Sequence, residues 1–150
     1  MKSIDTINQF LQQPRIAVVG VSRDPKKFGN AVYQTLKKNG FNLVPVHPEL
    51  DVFQDDPCVS DIQALPSDVT ALFICTKPAQ TKALLEQAIG HGIKHFWLQQ
   101  GSSDDKVLEY LKGKDVSFTS GRCILMFAEP VVSFHKFHRF LNRISGKLPS

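Results

Sequence analysis

The chain has 150 residues, 42% of them hydrophobic and 21% charged, which is the make-up of one ordinary domain and excludes global disorder. No stretch approaches the roughly 20 apolar residues that span a bilayer, and the three cysteines, Cys58, Cys75 and Cys123, lie too far apart for a CxxC metal knuckle or a dense disulfide scaffold. The whole net charge of +4 resides in residues 122–150, where five cations face Glu129 alone, so the basic stripe of a nucleic-acid binder is missing from the main body.

Neither nucleic acid nor membrane is therefore expected as a partner. Residues 1–14 lack the apolar run of a secretory signal, which makes the cytoplasm the expected compartment. Ile4, Ile7, Phe10 and Leu11 recur at helical spacing and predict an amphipathic helix. Residues 15–20 (RIAVVG) read as a short strand that is apolar on both faces and ends at Gly20. A helix follows over 28–38, with Val32, Tyr33 and Leu36 on one stripe and Gly40 as its stop. A second strand over 41–46 closes at His47-Pro48, because proline cannot continue a central ladder. Residues 60–65 predict a short helix capped by Ser60.

The run VTALFICT (69–76) reads as a third core strand, with Cys75 as a core filler. Pro78 opens a helix through Gly90, in a position where its missing N–H costs nothing. A fourth strand covers 94–98, and a helix over 103–112 places Asp104 and Asp105 in its first turn, at the positive end of the dipole. A fifth strand covers 115–118. A last helix, about 131–144, carries Phe134, Phe137, Leu141 and Ile144 at helical spacing. Strand and helix alternating at this interval predict an α/β fold: a doubly wound, Rossmann-like parallel sheet of about five strands, helices on both faces, in one domain over 1–150. Such sheets take ligands at the carboxyl ends of their strands.

The first of those ends carries Gly20-Val-Ser-Arg-Asp-Pro-Lys-Lys-Phe-Gly29-Asn. A glycine that permits a tight turn, a hydroxyl at Ser22, cations at Arg23, Lys26 and Lys27 and a helix N-terminus together make a phosphate cradle. Ser22 stands where a dinucleotide fingerprint has its second glycine, and no Gly-Lys-[Ser/Thr] opens the helix, so neither G-x-G-x-x-G nor a Walker A motif is present. An ordinary exposed loop with basic residues is the alternative. A nicotinamide cofactor asks for a carboxylate at the end of the second strand. Here Val46-His47-Pro48 stands there, and Glu49 follows only after the proline.

No catalytic constellation or metal site emerges. His91 and His95 are separated by Gly92, which breaks a helical metal pair, and no G-x-S-x-G elbow occurs. Cys123 follows Arg122, a cation that would favour its thiolate; a buried packing role is the alternative.

Taken in order, the stretches IAVVGVSRDPKKFGNAVYQTLKKNGFNLVPVHP (16–48), KHFWLQQG (94–101) and VSFTSGRCILM (116–126) resemble the small stand-alone CoA-binding-domain proteins. They are also similar to the CoA-binding Rossmann domain of the succinyl-CoA synthetase α subunit. The chain departs from that pattern at Ser102, Ser103 and Gly121, and in the apolar run that follows Cys123. The resemblance implies coenzyme A lying across the strand ends, its pyrophosphate on Gly20, Ser22, Arg23 and the helix start. Val21, Lys27, Phe28, Gly29 and Asn30 would complete that loop. The adenosine would lie near His47 and Pro48 and near Thr76, Lys77 and Pro78. The pantetheine arm would run toward Gln99, Gly101 and Cys123.

The function expected from the sequence is thus non-catalytic binding of coenzyme A or an acyl-CoA, a small-molecule nucleotide ligand. The alternative is an NAD(P)-binding sensor or the cofactor half of an oxidoreductase, for which Glu49 is the main support. A third reading makes the basic, Phe-rich last helix a contact for a second copy of the chain, that is, a homodimer.

Overall fold

The computed structural model describes residues 2–128. The expected last helix over 131–144, and the self-association reading attached to it, lie outside the described residues. The elements in chain order are α1 (Lys2–Leu11), β1 (Ile16–Val19), α2 (Phe28–Lys38), β2 (Leu43–Val46), β3 (Val52–Phe53), β4 (Asp56–Pro57), β5 (Ala71–Ile74), α3 (Pro78–His91), β6 (His95–Gln99), α4 (Asp105–Lys112) and β7 (Ser117–Arg122). Five strands form one parallel sheet in the order β2-β1-β5-β6-β7. The fold is the doubly wound, Rossmann-like α/β sheet.

Side chains alternate between the two faces of each strand. Val18, Phe73 and Trp97 join Ile7, Phe10 and Leu11 of α1 and Val32, Tyr33 and Leu36 of α2 in one core layer. Ala17, Val19, Leu72, Ile74, Phe96 and Leu98 face Leu85 and Ala88 of α3 and Val107 and Leu111 of α4 in the other. Helices therefore cover both faces, which explains why β1 and β5 are apolar at every position. Trp97 anchors the first layer, its ring 5.6 Å from Phe10 in an edge contact and its indole N–H donating to the Arg122 carbonyl at 3.1 Å.

Four expectations are corrected. The segment expected as a helix over 60–65 is a single 3₁₀ turn, Ile62–Ala64, and its cap is Asp61, whose carboxylate accepts from Ala64 N at 3.0 Å. Helix α4 begins two residues later than expected because Asp104 is its cap, accepting from Val107 N at 2.9 Å. The closing strand runs on to Arg122 through the polar Thr119-Ser120-Gly121, which an outer strand tolerates on its exposed side. The second strand ends at Val46, before His47-Pro48 as expected, but starts at Leu43 and takes Pro45 into its run, which is allowed because β2 is the outer strand on its side of the sheet.

The β3–β4 hairpin was not anticipated. Its two turn residues, Gln54 and Asp55, both adopt positive φ (48° and 69°), a conformation usually marked by Asn-Gly. Tertiary contacts impose it instead. The Tyr33 hydroxyl donates to Asp56, Lys37 Nζ stands 3.2 Å from the same carboxylate and also donates to the Gln54 carbonyl, and Phe53 meets the Tyr33 ring edge-on at 5.0 Å. Burial, with Asp56 alongside, pushes the Tyr33 phenol far above its ordinary range.

Candidate functional site

In this strand order the chain leaves β1 toward β2 on one side, while β5 and β6 extend on the other, and α2 and α3 lie on opposite faces. The gap between the β1 and β5 ends is the switch point where doubly wound sheets bind ligands. A cleft of about 580 Å³ opens there, lined by Gly20, Ser22, Lys27, Phe28, Cys75, Thr76, Lys77, Gln80, Gln100, Gly101 and Ser102. That volume falls in the range of small-molecule sites.

Two glycines shape the phosphate loop. At Gly20 (φ 133°) a Cβ would stand 2.7 Å from the Cys75 carbonyl oxygen, and at Gly29 it would stand 2.1 Å from the Gly20 carbonyl oxygen. Only glycine lets α2 start flush against the end of β1. Asn30, buried at 8% exposure, ties the loop together. Its Oδ1 accepts from Ser22 N at 2.8 Å, and its Nδ2 donates to the Ser22 and Asp24 carbonyls at 2.8 and 3.0 Å. Ser22 Oγ accepts from Asp24 N at 3.1 Å, which leaves the hydroxyl hydrogen to donate into the cleft.

Helix α2 begins after Lys27 and α3 after Lys77, and neither N-terminus has a side-chain cap. Both helix starts line the same cleft. Their first-turn N–H groups and the positive ends of their dipoles therefore face it together with two lysines. No carboxylate is among the described lining residues. The β5 side is fixed by hydroxyls: Ser102 Oγ accepts from Thr76 N at 3.2 Å, and the fully buried Thr81 hydroxyl lies 2.7 Å from the Ser102 carbonyl oxygen and 2.9 Å from Thr76 Oγ1.

Of the expected site residues, Gly20, Ser22, Lys27, Phe28, Thr76, Lys77 and Gly101 come together in the cleft. The others are not among its described lining residues. Val21 is buried, Gly29 and Asn30 shape the loop, and Pro78 starts α3. Gln99 is buried beneath the cleft, its Oε1 accepting from Ile124 N at 3.1 Å and thereby pinning the segment that carries Cys123. His47 Nδ1 accepts from Glu49 N and Leu50 N at 3.0 and 3.2 Å and shapes the turn at Pro48. Arg23 is turned to the rim, with Nη1 3.6 Å from Glu49 Oε1.

Sequence reasoning missed Cys75 and Gln80, whereas Gln100 and Ser102 belong to the strand end 99–102 where a ligand is expected. The expectation for Cys75 was core filler, but β5 ends at Ile74, so Cys75 is the first residue past the strand and is half-buried against the cleft. Burial pushes its thiol up, and the nearby Cys123 acts in the same direction. Arg122 lies over the Phe127 ring, 5.9 Å from its centroid.

A model of the CoA binding domain matches residues 14–129. The chain belongs to the CoA-binding-domain family. The chain is 26% identical over 119 residues to the uncharacterized protein YneT of Bacillus subtilis (strain 168), covering 79% of this chain and 88% of that one. A conserved hypothetical protein of Pyrococcus furiosus superposes with a TM-score of 0.72 at 30% identity, over 75% of this chain and 97% of that one. An acetyl-coenzyme A synthetase of Ca. Korarchaeum cryptofilum shares the fold at 19% identity, with a TM-score of 0.65 over 75% of this chain and 27% of the synthetase.

Proposed function

We propose that this family member binds coenzyme A, or an acyl-CoA, without transforming it. The observation that carries this reading is the convergence of two uncapped helix N-termini, Lys27, Lys77 and the Ser22 hydroxyl on one cleft whose described lining has no acid. This donor set suits a pyrophosphate. Membership of the CoA-binding-domain family supports the same ligand. In this reading the pyrophosphate lies against Gly20, Ser22 and the start of α2. The adenosine extends over the end of β2 toward His47 and Pro48, and the pantetheine arm crosses toward Gly101 and Cys123. Phe28, 49% exposed at the first turn of α2, offers an apolar ring to the ligand.

An NAD site would need a free carboxylate for the ribose 2′-hydroxyl. Glu49 is paired with Arg23, which favours a ligand that brings its own phosphate to that rim. The test is a thermal scan with CoA, acetyl-CoA, NAD and NADP, alongside native mass spectrometry of freshly purified protein. A ligand at a hundred times its dissociation constant adds about 2.7 kcal/mol. A rise with CoA or acetyl-CoA alone is expected. A rise with NAD and none with CoA would overturn the reading.

A further inference from the structure

The described cleft lining has no acid, but the loop after β1 that supplies Gly20 and Ser22 to it is joined to one. Arg23 belongs to the loop after β1 and Glu49 to the turn after β2, and the two charges meet with Nη1 3.6 Å from Oε1. Their side chains are 63% and 67% exposed, so the pair does not serve packing. Its mounting separates it from an incidental surface contact. Arg23 lies between Ser22 and Asp24, whose carbonyl oxygens are both held by Asn30 Nδ2, and the Glu49 N–H is held by His47 Nδ1. Two flexible charged side chains are thus carried on two pinned backbones, one on each side of the path to β2.

We propose that Glu49 is a built-in competitor for the ligand's ribose phosphate, holding Arg23 in the free protein and yielding it when the 3′-phosphate of coenzyme A arrives. The inference rests on the coenzyme A reading, which lays the adenosine over the end of β2. At 3.6 Å the carboxylate makes an ion pair and not a well-formed hydrogen bond. A phosphate can take the guanidinium through two parallel N–H···O bonds and carries more charge, so it displaces the acid. A ribose without phosphate has nothing to offer Arg23 and leaves the pair closed. Arg23 and Glu49 together would then determine specificity for a phosphorylated ribose.

The experiment is calorimetric titration of coenzyme A and of dephospho-coenzyme A, which lacks the 3′-phosphate, into wild type, Glu49→Gln and Arg23→Gln. Wild type is expected to prefer coenzyme A. An exposed ion pair is worth only a few-fold in an equilibrium, so Glu49→Gln should tighten coenzyme A about two- to fivefold and leave dephospho-coenzyme A unchanged. Arg23→Gln should bring coenzyme A down to the affinity of the dephospho form. Equal wild-type affinity for both ligands overturns the proposal and leaves the coenzyme A reading standing. So does a Glu49→Gln protein that binds coenzyme A more weakly, since Glu49 would then be a ligand contact. Wild type binding neither ligand overturns the coenzyme A reading itself.

Discussion

Gly29→Ala puts one methyl group where the fold has no room for it. The new Cβ would stand 2.1 Å from the Gly20 carbonyl oxygen, whereas ordinary contact begins near 3.4 Å, so the start of α2 must back away by more than an ångström. The obstructing atom is backbone, at the end of a central strand, and cannot swing aside as a side chain would. Overpacking of this kind costs about 1–3 kcal/mol, and alanine's advantage over glycine in a helix returns at most about 1 kcal/mol of it. The net loss is about 1–2 kcal/mol, or roughly 2–8 °C in melting temperature for a chain of this length. Gly90→Ala in α3 provides the opposite case, because its Cβ would meet nothing within 4 Å. That change is expected to stabilise by about 0.4–1 kcal/mol. Differential scanning calorimetry of both variants decides the matter. A Gly29→Ala protein as stable as wild type would refute the reasoning, since the close approach of α2 to β1 would then not be needed.

Lys27→Ala and Lys77→Ala should each weaken coenzyme A binding by about ten- to a hundredfold in calorimetric titration, with melting temperatures little changed. Asn30→Ala removes three loop hydrogen bonds and leaves half-buried backbone groups unpaired; a loss of about 1–3 kcal/mol in denaturant unfolding is expected. Incubation with coenzyme A disulfide should add one coenzyme A mass through exchange, releasing one coenzyme A thiol. Intact-mass analysis should show that adduct lost in Cys123→Ser and kept in Cys75→Ser, because burial pushes the Cys75 thiol up and keeps it protonated. Burial also holds His95 below the ordinary histidine range. Its folded form resists protonation, so stability falls as pH drops below about 6.5, and His95→Gln should flatten that slope in urea unfolding between pH 7 and 5.

The sheet was legible because apolar runs of four to eight residues between helical periods have few other uses. Its strands differ from expectation by a residue or two at each end, except at Thr119–Arg122, where an outer strand need not be apolar. The phosphate side of the cleft was legible for a related reason: Gly20, Ser22 and Lys27 lie close together in the chain, so one loop displays them. Cys75 was not legible, because its place is set by neighbouring strands coming into register. The hydroxyl network joining Ser102, Thr76 and Thr81 spans three separate segments, and no local pattern announces it. The β3–β4 hairpin was hidden for the same reason, since Gln54 and Asp56 are held by Lys37 and Tyr33 from α2.

That hairpin has a consequence for assembly. The segment that follows it runs beside β2, with Val46 bridged to Val59 and the Pro45 carbonyl taken by Val59 N at 3.0 Å. A proline with no N–H and a strand neighbour already seated make β2 a poor template for an incoming chain. Among the described residues, β7 ends the sheet on the opposite side with no such cover. Copies joined by sheet extension would therefore meet through β7, and a break in the Tyr33–Asp56–Lys37 anchor would add a second sticky edge where the native fold has none.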